Sequence, residues 1–532
     1  MIWHIFKKDW KLFRGFGLAV ALLPFAIAVV RYKLEPGFDE NEALSSVLLL
    51  LELMLYFGAA TLTAVLVQLD GLVSVRQDWL VRPVRRRDLL AAKLLFLLLA
   101  VHLPLFVANL AVGVAEGFPL SSLLAGAFTE NLYFLLGFTL PILAFASLSR
   151  NLTEALGGAF ALFVAVMGLE MLITGWNGGS PLGPTTDSGV AWIPQTERLL
   201  IYLFSAAAIL ALQYFRRATR ASRFVFGAAI VLCMITQVVP WHYAFSLQMA
   251  LSGRPAASDP ITLQFDPSQG KYHSPVASKP HPALTQMGIS KFRNAEDNAA
   301  IYIPLEISGV APGSILKVDH AAVRLVGANG KSVGATSPAG ERGAFEAPNE
   351  NASGSSALPY YEPVHIRSSV FNRLKDTPVT LQIDYSATLL RLSSTDMLPA
   401  LDASQRIAGV GWCRSELNDN RTAIEVRCLG TGTLPQCSSL VLENPATGVH
   451  NPANHGCLDD YAAYLGRYKP PDTLLRIGTN LFFRDDAGLV HYPVDASQIG
   501  NAQVVLKNYA VAGHLTTRLV VPAIRLADWS AD

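Results

Sequence analysis

Residues 78–93 read DWLVRPVRRRDLLAAK, a stretch too polar and too basic for the apolar runs that flank it on both sides. Pro83 disfavours helix at Arg82, and Asp88 is placed to cap a helix that begins with Leu89 and Leu90. The stretch therefore reads as a compact surface element joined directly to the apolar helix that follows. The side of a membrane on which it lies fixes the topology of everything before and after it.

Seven candidate spans flank it, at residues 16–30, 44–69, 94–114, 132–148, 155–174, 199–215 and 224–239. Several are near the short end of the ~17–25 residues that cross a bilayer. With the N-terminus inside, the inner segments carry Lys7, Lys8, Lys11 and Arg14, then Arg76, Arg82, Arg85, Arg86, Arg87 and Lys93, then Arg150, and finally Arg216, Arg217, Arg220 and Arg223. The outer loops before the seventh span carry Arg31, Lys33 and Arg198. Fifteen basic residues against three predict an inside N-terminus, residues 78–93 in the cytoplasm, and an outside C-terminal part.

Residues 1–15 precede the first span and place Trp3, Phe6, Trp10 and Phe13 at helical spacing, with lysines between them. That is the pattern of an amphipathic helix lying in the membrane interface. Ala26-Ile27-Ala28 has the small-x-small form of a signal-peptide cleavage site, but the long basic lead and the many later spans favour a retained helix. Four polar side chains fall in or near the spans: Glu52, His102, Asn109 and Glu170. An ionised group in hydrocarbon is costly unless it faces protein or water, so Glu52 is a candidate for a translocation path. His102 and Asn109 read as helix-to-helix hydrogen-bonding groups, and Glu170 lies near the outer interface. Pro104 and Pro141 predict kinks whose freed carbonyls neighbouring helices re-satisfy.

Here a resemblance enters. Trp79, Arg82-Pro83-Val84, Arg87-Asp88-Leu89-Leu90 and Lys93 are similar to the cytoplasmic loop between the second and third helices of type-2 permeases of ATP-binding-cassette (ABC) exporters. The amphipathic lead resembles that family's elbow helix. The resemblance covers residues 1–220 and implies a coupling helix that docks into a cleft of a separate ATPase subunit. Asp78, Trp79, Leu80, Arg82, Pro83, Arg85, Arg86, Arg87 and Asp88 would make that contact. It further implies that ATP and Mg are bound by the partner, with no cofactor in this chain, and that a second membrane subunit completes the path, as a homodimer. Two features depart from the family. A seventh span follows the six of its core, and the loop at 175–198, rich in Gly and Pro, is more turn-like than the short re-entrant helices expected there.

Composition agrees with a divided chain. Of 532 residues, 51% are hydrophobic and the mean hydropathy is +0.33, too apolar for a purely soluble protein. The formal net charge of +1 leaves no broad basic face for nucleic acid. The apolar runs end near 246, giving a membrane domain over 16–246 with its cytoplasmic loop at 70–93. Residues 247–295 read as a linker. Residues 296–532 read as an all-β, sandwich-like extracytoplasmic domain, divisible into two near 396–405. Short strands are expected at 300–308, 321–326, 378–386, 422–428, 480–484, 502–509 and 516–521. In the first, Ile301, Ile303, Leu305 and Ile307 share a face, and Pro304 argues for a sheet edge.

Cys413, Cys428, Cys437 and Cys457 cluster in this domain, which points to two disulfides outside the cytoplasm. Neighbours in sequence would pair as Cys413–Cys428 and Cys437–Cys457, out of three possible connectivities. A Cys437, His450, His455 and Cys457 metal site matches no familiar zinc spacing. Gly327–Ser332 (GANGKS) ends like a phosphate-binding loop, but Leu325 stands where its first glycine belongs, so a hairpin turn is expected. The expectation is an inner-membrane, multi-pass exporter permease in contact with membrane lipids, with no catalytic residues of its own. A seven-helix receptor with an outside ligand-binding domain is the second reading, and a membrane enzyme with its site on the tail is the third.

Overall fold

The computed structural model describes residues 1–33, 42–69, 85–158, 192–237, 241–252, 261–272, 298–328, 330–337, 344–346, 360–408, 410–418, 423–429, 437–444, 449–452, 477–482 and 499–530, apart from a few isolated positions. Among the described residues, six helices are long and apolar enough to cross a membrane: Ile2–Val30, Ser46–Gln68, Arg86–Ala115, Leu120–Ala146, Thr196–Arg216 and Thr219–Thr236. Their outward faces are apolar too, with Phe57, Phe128, Phe204 and Phe224 all exposed. Such a surface is compatible with a multi-pass membrane protein. The expected fifth span, 155–174, lies mostly outside the described residues.

α1 (Ile2–Lys33) is one continuous helix, not an interfacial helix followed by a separate span. No proline stands between Trp10 and Gly17, and the first turns pack against α3 (Arg86–Leu97). Phe6 and Trp10 lie against Phe96, with ring centroids 6.1 and 5.8 Å apart. α2 is Glu42–Gln68. α3 continues through a widened π turn at Leu98–His102 into α4 (Leu103–Ala115). α5 (Leu120–Phe134) does the same through Leu135–Thr139 into α6 (Leu140–Ala146). In both pairs a proline follows two residues after the π turn, Pro104 and Pro141. A proline withholds its N–H from the residue four back and crowds that carbonyl, and the wider turn relieves both effects. After a helical stretch at 152–158 come α7 (Trp192–Ala211), α8 (Thr219–Gln237) and α9 (Trp241–Ser252) among the described residues.

Hydrogen bonds sort the helix ends into two groups. Lys93 meets Asp9, Gln68 meets Ala146 and Ser149, Arg86 meets Phe215, and Arg223 meets Leu148, so these ends lie together. Arg198 of α7 bonds Thr236 of α8 at the other end.

Among the described residues the β domain has two antiparallel sheets. Strands β1 (Thr262–Phe265), β2 (Asn298–Ser308), β3 (Ser314–Val326), β4 (Ser332–Thr336), β5 (Ala344–Glu346), β6 (Tyr360–Arg367), β7 (Val379–Pro399), β11 (Cys437–Asn444), β12 (Val449–Pro452) and β14 (Gln503–Ile524) form the first, ordered β1-β2-β6-β4-β3-β7-β14-β11-β12 with β5 on β3. The second is β13-β10-β9-β8, over Ile477–Phe482, Ala423–Leu429, Gly411–Leu417 and Ala403–Ile407. β7 and β14 are 21 and 22 residues long and run through two apolar cores. One core is built on Ile303, Val364, Leu381 and Leu519, the other on Leu398, Ile424, Val426, Leu440 and Val504.

The strands expected at 502–509 and 516–521 are a single strand, because bulges near Tyr509 and Gly513 absorb the irregularity instead of ending it. β2 (Asn298–Ser308) lies inside the sheet, between β1 and β6 (Tyr360–Arg367), so Pro304 does not mark an edge. The β1 ladder ends at the Phe265–Leu305 pair, and the Pro304 carbonyl accepts from Asp266 N, so its missing N–H falls where pairing has already stopped. The segment 247–295 also contains ordered structure, the end of α9 and β1 with a 3-10 turn at Pro267–Gln269 capped by Asp266. Gly327–Ser332 joins β3 (Ser314–Val326) to β4 (Ser332–Thr336) as a hairpin turn, with Gly330 at φ 72°.

Candidate functional site

Of the coupling residues expected from sequence, Asp78, Trp79, Leu80, Arg82 and Pro83 lie outside the described residues. Arg85 is extended and precedes α3, while Arg86, Arg87 and Asp88 form its first turn. Asp88 therefore does not cap a helix starting at Leu89. The helix begins three residues earlier, and the Arg85 carbonyl accepts from the N–H groups of Asp88 and Leu89. Asp88 sits instead in the first turn, where a carboxylate favours the positive end of the helix dipole. Arg86 reaches the carbonyl of Phe215 at 3.5 Å. Arg217 beside it holds a left-handed φ of 54°, and burial, then the charge of Arg86, lower its pKa.

Two turns further along α3, Lys93 Nζ donates to Asp9 Oδ2 at 2.8 Å, and both side chains are fully buried. The pair locks α1 to the helix that emerges from the basic loop. Sequence reading named Lys93 but passed over Asp9. Its signal was available: a lone acid among lysines, within the apolar-aromatic pattern of the first helix.

Further along the bundle, α3–α4 and α5–α6 share a buried polar network. Asn131 Nδ2 donates to the His102 carbonyl at 2.6 Å, supplying a carbonyl of the π turn with a partner. With that amide orientation, Asn131 Oδ1 accepts from His102 Nδ1–H at 2.6 Å. His102 Nε2 is then left to accept from the Thr139 hydroxyl at 3.1 Å, so the contacts fit the ring protonated on Nδ1. Two turns beyond His102, Asn109 Nδ2 donates to Glu130 Oε2 at 2.8 Å, and Glu130 is buried. His102 and Asn109 thus make the helix-to-helix bonds expected of them. Glu130, Asn131 and Thr139 were missed. The polar run Thr129-Glu130-Asn131 precedes the span expected at 132–148, but the helix begins twelve residues before that, at Leu120.

Glu52, the expected path residue, is half-buried on α2, one turn before Tyr56. Tyr56 packs edge-on to Phe134 and Phe138, and Phe134 lies beside His102 at 5.6 Å. Glu170 lies outside the described residues. In the β domain, Cys413 and Cys428 form a disulfide between directly opposed positions of β9 and β10. Cys457 lies outside the described residues, as does His455, so neither the second pairing nor the Cys/His arrangement is placed. Among the described residues no group of three or more His, Cys, Asp or Glu is arranged to hold a metal ion. Comparison with protein-family models, with curated proteins and with solved structures finds no match.

Proposed function

We propose that this chain is the membrane-spanning permease subunit of an ABC exporter, coupling ATP hydrolysis by a separate subunit to export of a substrate. One observation carries the reading most: the buried Asp9–Lys93 pair ties the N-terminal helix to the start of the helix that follows the basic loop. A push on that loop moves two helices together and, through α3, reaches the polar network at His102. The end holding Asp9, Lys93, Arg86 and Arg223 faces the cytoplasm, as its basic residues favour. The ATPase docks there, and the β domain lies outside. Trp79 and Leu80 supply apolar contact to the ATPase cleft, while Arg82 and Arg85–Arg87 bind its acidic rim or lipid phosphates. A second copy of the chain shares the path.

The test is a pair of substitutions. Trp79→Ala, and separately Arg82→Glu, should abolish transport and ATPase copurification while membrane insertion persists, because Arg85, Arg86, Arg87 and Lys93 still hold the loop inside. Normal transport by both variants at normal abundance would refute docking of the ATPase through this loop, and a native chain with no copurifying ATPase would move the weight to a receptor. That second reading has its own support, direct packing of β-domain residues Trp412 and Leu429 against Phe118 and Leu123 of the helical part.

A further inference from the structure

The β domain meets the helices where α4 turns into α5. α4 ends at Glu116 with Gly117 left-handed at φ 81°. The N–H of Phe118 bonds the Gly113 carbonyl and that of Gly117 the Val114 carbonyl, a Schellman ending. This turn presents Phe118 upward, and Phe118, Leu123 and Ala127 pack with Leu429 and Trp412. β9 and β10 alternate cleanly in register. Cys413 and Cys428 face the domain core, whereas Trp412, Arg414, Glu416, Glu425, Arg427 and Leu429 belong to the opposite face. Arg414 Nη1 donates to the Glu116 carbonyl at 2.6 Å, so a β-sheet arginine caps the C-terminus of a helix in the bundle.

Around that contact stand three carboxylates and two guanidiniums. Arg414 pairs with Glu416 at 2.9 Å, Arg427 binds both oxygens of Glu425 at 2.8 Å, and Arg427 reaches Glu416 at 3.5 Å. The Glu116 carboxylate has no hydrogen bond or ion pair among the described residues. It also sits at a helix C-terminus, the wrong end of the dipole for a negative charge. α5 brings no charged side chain before Glu130, so the charged groups acting on Glu116 come from β9 and β10. With all five ionised the cluster carries one excess negative charge, and with Glu116 neutral it balances.

We propose that this junction is a pH-responsive clasp, in which protonation of Glu116 strengthens docking of the β domain on the helical bundle. The inference rests on the junction itself and goes beyond the exporter reading. Burial raises the Glu116 pKa above its ordinary 4.5; Arg427 opposes this, Glu425 and Glu416 add to it, and Arg414 opposes it weakly. A carboxyl whose pKa is higher when docked binds more protons in the docked state. Docking therefore tightens as pH falls toward 4.5 and weakens as pH rises through the raised value. Each unit of pKa difference between docked and undocked states is worth about a tenfold change in the docking equilibrium.

The test is hydrogen–deuterium exchange on the full-length protein in detergent, between about pH 5 and about pH 8 and corrected for intrinsic exchange. Amides of residues 116–124 and 411–417 should gain protection as pH falls, while those of β3 and β7 stay constant. Glu116→Gln should be protected at every pH and lose the dependence. Glu416→Gln, which keeps the titrating group but removes a neighbouring negative charge, should move the transition to lower pH. The proposal is overturned by pH-independent protection in the native protein, by an unchanged dependence in Glu116→Gln, or by a transition in Glu416→Gln that stays put or rises.

Discussion

Replacing Lys93 with methionine tests the lock between the first and third helices. Nζ lies 2.8 Å from Asp9 Oδ2 with neither side chain exposed, so the substitution leaves a fully buried carboxylate without its cation. Breaking one side of such a pair typically costs ~3–5 kcal/mol, whereas replacing both sides with apolar groups of similar size is often close to neutral. Lys93→Met alone, or Asp9→Leu alone, should therefore lower unfolding free energy by ~3–5 kcal/mol, and the double variant should recover most of it. Reversible unfolding of the purified protein in mixed micelles, by added SDS, measures all four corners of the cycle. Two silent single variants, or a double variant whose loss equals the sum of the singles, would refute the pairing as a structural lock.

Removing the disulfide with Cys413→Ser and Cys428→Ser opens a loop of sequence separation 15 and should cost about 3 kcal/mol, read as a lower melting temperature of the oxidised protein. An unchanged melting temperature would remove the bond from the account. His102→Leu strands Asn131 and Thr139 without their ring partner and should cost ~1–3 kcal/mol by the same SDS assay, with no loss of membrane insertion. A reporter active only in the cytoplasm should be silent when fused after Ala256 and active after Ala218; the reverse pattern would falsify the orientation.

Much of the fold was legible because its signals are local. Apolar runs mark the helices, alternation at 301–307 marks β2, and the GANGKS turn lacks the glycine a phosphate loop needs at Leu325. What escaped depends on partners distant in sequence. Lys7 and Lys8 mark an interface, but the partners that draw the first turns into the bundle, Phe96 and Lys93, lie far on in sequence, Lys93 being 84 positions from Asp9. Glu130 and Asn131 lengthen a span that hydropathy starts at 132, because Asn109 and His102 supply the bonds that make them tolerable there. The helix start at Arg86 escaped because Asp88 looks like a cap, and an aspartate serves the first turn equally well. Bulged β14 escaped because Gly513 resembles a turn residue when its partner β7 is not in view.

The most direct test of the central proposal is purification of the intact chain from its native membrane in mild detergent, followed by assay of the same fractions for Mg-dependent ATP hydrolysis. The account predicts an ATP-binding-cassette subunit coeluting in fixed ratio with this chain, and ATPase activity that leaves those fractions when Arg82→Glu replaces the native protein. Elution of abundant, folded chain with no nucleotide-hydrolysing partner would contradict it.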